Sequence, residues 1–128
     1  MTIEHFSITV DDMERSRAFY TAALAPLGLK PTLGDGKNWQ MFGTKAHSEF
    51  GISPGKPTSA IHFAFRARSR SAVDKFHEQA LKAGGKDHGK PGLRDYSKNY
   101  YAAFVIDPNG HNLEAVCFAA PKKKGKRS

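Results

Sequence analysis

Two histidines, His5 and His62, and one late glutamate, Glu114, form a donor set suited to a divalent cation. Two neutral imidazole nitrogens and a carboxylate oxygen match Fe, Mn, Co, Ni or Zn, and three protein donors leave positions open for water or substrate. Glu114 lies between Leu113 and Ala115, where a carboxylate is costly to bury without a counter-charge that a cation can supply. Each residue alone is a weak signal, so the elements that position them carry the argument.

Shifting the chain by 57 residues places His5 on His62, Ile8 on Phe65, Phe19 on Phe76, Ala23 on Ala80, Leu24 on Leu81 and Gly28 on Gly85. Internal repeats of this kind constrain a whole architecture. In each half an alternating strand is followed by a helix that starts at a capping residue and ends near glycine, then by shorter strand-like runs. The fold class expected is therefore α+β, a duplicated βαβββ unit, with module one at about 1–55, module two at about 58–120 and a single domain over 1–120.

Successive side chains alternate across a strand. Phe6, Ile8 and Val10 thus share one face and leave His5, Ser7 and Thr9 on the other, while Ile61, Phe63 and Phe65 leave His62 with Ala60 and Ala64. Both histidines are expected on polar faces, looking into whatever concavity the sheets form. Asp11 or Asp12 is expected to cap a helix from about Met13 to Ala25, stopped by Pro26 and Gly28. Ser69 or Ser71 is expected to cap one from about Ala72 to Ala83, with Asp74 as capping-box partner of Ser71. Residues 38–42, 48–52, 100–106 and 112–118 read as later strands, and Asp107-Pro108-Asn109-Gly110 as the turn before Glu114.

The net charge of +8 is unevenly placed. Lys122, Lys123, Lys124, Lys126 and Arg127 account for five of these charges, and subtracting them leaves +3 for the rest of the chain. The segment 121–128 is expected to be a disordered basic tail with no specific nucleic-acid role. No apolar run approaches the roughly 18 residues of a membrane-spanning helix, and the N-terminus lacks the pattern of a secretory signal. With the single cysteine Cys117 no intrachain disulfide can form, which suits a cytoplasmic location.

The run His5-Phe6-Ser7-Ile8-Thr9-Val10-Asp11-Asp12 with Ser16, Phe19 and Tyr20, the run Ile61 to Phe65, and Asp107-Pro108-Asn109-Gly110-His111-Asn112-Leu113-Glu114 together resemble the vicinal oxygen chelate superfamily. That group includes glyoxalase I, extradiol dioxygenases, fosfomycin-resistance enzymes and bleomycin-resistance proteins. The resemblance implies paired βαβββ modules forming an open, incomplete barrel around a divalent metal, often with two chains in the assembly, and hence a homodimer. His5, His62 and Glu114 match its ligand positions.

Glyoxalase I proteins add a glutamate from the fourth strand of module one, where Glu49 is the only carboxylate here. Strand parity groups Glu49 with His47 and Gly51, although a one-residue bulge would put Phe50 at that position instead. Candidate catalytic residues are Glu114, Glu49 and Tyr101. Arg94, in the Gly- and Pro-rich segment 90–99, with Tyr96, Tyr100 and Trp39, is expected to bind substrate, and only one of Tyr100 and Tyr101 can point inward. His47, His77, His88 and His111 are expected at the surface. The expected function is a glyoxalase-like, metal-dependent lyase or isomerase acting on a small substrate with vicinal oxygens. The alternatives are an Fe(II) extradiol-type dioxygenase and a metal-free sequestering protein.

Overall fold

In the computed structural model, which describes residues 3–121, the alternating N-terminal run becomes strand β1 (Phe6–Val10), with Ile8 and Val10 buried and Ser7 exposed. Helix α1 (Met13–Leu24) follows. Of the two candidate caps Asp12 takes the role, its carboxylate accepting from Arg15 N at 3.0 Å. A 3-10 turn over Ala25–Leu27 ends at Gly28, whose φ of 84° lets its N–H reach back to Ala25 O. Strands β2 (Lys30–Gly34), β3 (Gln40–Gly43) and β4 (Ser48–Pro54) complete module one. The sheet order is β1-β4-β3-β2, with β1 parallel to β4 and the other pairs antiparallel.

Module two repeats the plan with β5 (His62–Arg66), α2 (Arg70–Lys82), β6 (Lys86–Leu93), β7 (Tyr101–Ile106) and β8 (Asn112–Cys117), in the order β5-β8-β7-β6. Ser69 caps α2 by accepting from Ala72 N at 3.0 Å. The capping box expected of Ser71 and Asp74 is absent, because both lie inside the helix and Asp74 accepts from Tyr101 OH at 2.7 Å.

Strands β2 and β6 are the elements that periodicity did not reveal. Each is the far edge of its sheet, and edge strands tolerate the Pro31 and Pro91 that argue against a central strand. The expected loop over 90–99 accordingly shrinks to the residues after Leu93, since Lys90 to Leu93 belong to β6.

One core serves both modules. Phe50, with no exposed surface, has its ring centroid 5.1 Å from Phe6, 4.9 Å from Tyr20, 5.5 Å from Phe63 and 5.8 Å from Phe65. Helices α1 and α2 pack on each other and on this same side of the sheets. Ile61, expected among the apolar residues of β5, instead precedes the strand and is 38% exposed. The modules are also tied by a buried hydrogen bond from Tyr20 OH to Asp107 of the turn before β8. Burial, together with the Asp107 charge, pushes the Tyr20 phenol well above its ordinary pKa. Asp107 further accepts from Asn109 N at 2.8 Å and His111 N at 2.9 Å, which fixes the turn.

The two sheets do not close on each other, giving the expected pair of βαβββ modules in an α+β fold. From Lys122 on, the expected basic tail lies outside the described residues. Among the described residues no helix is long and apolar enough to cross a membrane.

Candidate functional site

Register decides which side chains meet on the open face of module two. In the parallel β5–β8 ladder His62 pairs with Asn112 and Ala64 with Glu114, while antiparallel β7 sets Phe104 against Glu114. Glu114 therefore lies between the small Ala64 and the ring of Phe104, and only 2% of its surface is exposed. The His62 ring lies at 28° to that of Phe104, with centroids 6.0 Å apart.

His62 Nδ1 is 3.0 Å from the Asn112 carbonyl oxygen. A carbonyl only accepts, so Nδ1 carries the proton and Nε2 is the atom turned toward Glu114, 2.9 Å from Oε1. Fixing one imidazole nitrogen on a backbone carbonyl is the usual way a ligating histidine is oriented. The second carboxylate oxygen, Oε2, accepts from Tyr100 OH. Tyr96 packs edge-on to Tyr100 at 5.0 Å, and the Arg94 guanidinium lies 5.3 Å over Phe104 while donating to Gly92 O and Lys90 O, each at 2.8 Å. Arg94, Tyr96 and Tyr100 are thus gathered around the His62–Glu114 pair.

The Tyr100 phenol is pushed up to about 12, by burial first and then by its hydrogen bond to the Glu114 carboxylate. Two results are expected. Absorbance titration at 295 nm should show one tyrosine ionising near pH 12, with that step moving down in Glu114→Gln. Because the folded-state value is raised above the unfolded one, the stability this contact contributes is intact below about pH 10. It is lost as pH rises through the folded value of about 12, so Tyr100→Phe should flatten the alkaline limb of a denaturation profile.

Other expected residues lie elsewhere. Tyr101, expected as catalytic, turns to the helix side, where it donates to Asp74 and lies under Arg70 at 5.1 Å, because adjacent strand residues face opposite ways. Its hydrogen bond to Asp74 raises its phenol pKa. His77 and His111, expected at the surface, are buried. His77 Nε2 sits 2.9 Å from Asp87 Oδ1, and His111 Nδ1 accepts from Ile61 N at 3.2 Å.

His5 precedes β1 on the polar side of sheet one, exposed and paired with Glu4. The shared core pulls the apolar faces of both sheets inward, so the polar faces do not converge within one chain as the alternation suggested. Among the described residues no group of three or more His, Cys, Asp or Glu is placed to hold one ion.

Register also identifies the counterpart of Glu114 in module one. In module one Ser7 pairs with Gly51 as Ala64 pairs with Glu114, and Ser7 and Ala64 are related by the 57-residue repeat. The counterpart of Glu114 is Gly51, not Glu49 or Phe50. Phe50 faces the core, and Glu49 is the extra residue of a bulge, because β3 pairs Phe42 with Phe50 but Gly43 with Ser48. A Cβ on Gly51 would collide with Met41 Sδ and come within 2.8 Å of Ser7 Oγ, so the methionine fills the space of a side chain at 51. Trp39, 46% exposed, stands on the same side of module one.

Residues 2–115 match the family model of the Glyoxalase/Bleomycin resistance protein/Dioxygenase superfamily. The chain belongs to this superfamily. Among solved structures it is similar to a glyoxalase/bleomycin resistance protein from Albidiferax ferrireducens T118, with 29% identity, 94% of this chain and 100% of that one covered, and a TM-score of 0.79. It is also similar in fold to a putative glyoxalase from Bacillus halodurans (23% identity, 91% and 95% covered, TM-score 0.72). A third likeness is to a glyoxalase/bleomycin resistance protein/dioxygenase family enzyme from Burkholderia phytofirmans PsJN (19%, 93% and 100%, TM-score 0.70). No curated protein matches the chain. Superfamily membership accounts for the duplicated modules and leaves the reaction to be argued from the site.

Proposed function

We propose that the protein is a divalent-metal enzyme of the lyase or isomerase type, acting on a small substrate that carries two adjacent oxygens. His62 and Glu114 of one chain and His5 of a second copy would hold the ion in a homodimer. The observation that carries this reading is the 2.9 Å approach of His62 Nε2 to Glu114 Oε1, with the other ring nitrogen fixed on a carbonyl. That donor pair fits half a metal site, and among the described residues no third His, Cys, Asp or Glu joins it, which is why the reading brings in a second copy. The ion would be Zn, Ni, Fe, Mn or Co by the chemistry of its donors, acting when bound as a Lewis acid on the substrate oxygens.

The chain's own residues supply the rest. Tyr100, protonated at neutral pH, holds Glu114 Oε2 and keeps the carboxylate oriented. Arg94, its plane set by two backbone carbonyls, offers a cation beside Phe104 for an anionic group on the substrate. Glu49 is proposed as the proton-transfer base from module one. A cytosolic setting is part of the same reading, as Cys117 is buried and free.

One observation favours a second reading. With Gly51 opposite Ser7, the set reduces to two imidazoles and one carboxylate, the ligand count of non-haem Fe(II) oxygenases. Elemental analysis of protein purified without chelators, beside His5→Ala and His62→Ala and with sedimentation analysis of each, tests the metal and the dimer. Stoichiometric metal lost in both variants is expected, and wild-type protein without metal would overturn the reading in favour of a sequestering role. Turnover of methylglyoxal with glutathione separates the lyase from an oxygenase, which would consume dioxygen with a catechol.

A further inference from the structure

The open face of module one carries a hollow of about 890 Å³, within the range of small-molecule sites. Leu33, Trp39 and Met41 form its apolar wall, and Lys30 and Lys45 supply its cationic side chains. Trp39 and Leu33, 46% and 57% exposed, line this one hollow together, and grouped exposed apolar side chains mark binding surfaces where scattered ones do not. Trp39 is also held in place. Asp35 accepts from Lys37 N at 2.8 Å, Asn38 N at 2.7 Å and Trp39 N at 3.3 Å, and Gly36 N donates to Trp39 O at 3.0 Å. These donors, Asn38 N first, hold the Asp35 carboxyl well below the usual carboxylate range. A backbone fixed in this way removes part of the ordering cost when the Trp39 ring stacks on a ligand.

The charges determine which ligand fits. The one acidic side chain at the hollow, Glu4, is engaged by His5 and His47. Among the described residues neither Lys30 nor Lys45 has an acidic partner. A cationic aromatic would meet two unneutralised ammonium groups.

We propose that this hollow binds the aromatic end of an organic carboxylate, its ring on Trp39 and Met41 and its carboxylate between Lys30 and Lys45. His5 lines the same hollow, so the aromatic acid would be the substrate class of the metal centre. That assignment as substrate rests on the reading of the previous subsection, whereas the pocket itself stands on module one alone.

Metal-free protein titrated with 3-phenylpropionate, using 2-phenylethylamine and hexanoate as comparators, tests it. Trp39 is the single tryptophan, so its emission reports directly on the site. The acid should change that emission and bind at least about tenfold more tightly than either comparator. By calorimetry, Trp39→Ala should weaken it about tenfold or more, and the double variant Lys30→Ala/Lys45→Ala should weaken it and flatten its salt dependence. The titrated protein carries no metal, so failure of the metal reading leaves the pocket standing. No binding, equal binding of acid and amine, or an unaffected Trp39→Ala would each overturn the proposal.

Discussion

At the proposed metal centre, Glu114→Ala is expected to strip the ion and to lower turnover by at least about 100-fold, since even outer-shell partners of a ligand cost about 10–100-fold. Glu114 is the one carboxylate within reach of His62 Nε2, and its second oxygen is the acceptor for Tyr100. Removing it leaves two polar groups without their partner, which costs about 1–3 kcal/mol where water does not replace the lost contact. Glu114→Gln separates charge from shape, because it keeps an oxygen for Tyr100 while losing the anionic donor. It should fold as wild type does by circular dichroism yet retain little metal by elemental analysis. Full metal occupancy in both variants would place the ion elsewhere.

Phe50→Ala is expected to lower stability by about 3–5 kcal/mol, the range for deleting a buried aromatic ring. Phe50 has no exposed surface and stands between Tyr20 of α1 and Phe63 and Phe65 of β5, so its ring belongs to both modules. A domain of ordinary stability, about 5–15 kcal/mol, would lose a large share of it. The melting temperature should fall on the order of 10–20 °C in calorimetry. Trp39→Ala, at the surface, should shift it little, and equal losses in the two variants would mean that the modules do not share one core.

The features legible in the sequence are those set by local alternation and capping. The inward Phe6, Ile8 and Val10, the outward His62, the caps Asp12 and Ser69 and the tight turn at Asp107 all follow from short-range rules and all appear. Strands β2 and β6 were hidden because edge position relaxes the residue pattern by which strands are recognised. Which of Tyr100 and Tyr101 reaches Glu114 is not legible in the sequence, because parity separates two adjacent residues without saying which of the two faces the ligand side. Burial of His77 and His111 depends on Asp87 and Ile61, partners that no local pattern brings together. The Gly51 position was obscured for a different reason. From Gly51 to Glu114 the offset is 63 rather than 57, so six residues have entered module two between the helix and the last strand. Shifting by a constant period cannot find the true counterpart.

The thioether packed over Gly51 also constrains how this scaffold can change. Glutamate at residue 51 would meet the Met41 thioether and the Ser7 hydroxyl, so the methionine must swing aside before a new donor reaches the cleft. A laboratory lineage selected toward a four-donor centre should therefore gain from a shorter residue at 41. Deep mutational scanning of the two positions together would reveal that gain as positive epistasis between the acidic replacement and the trimming step.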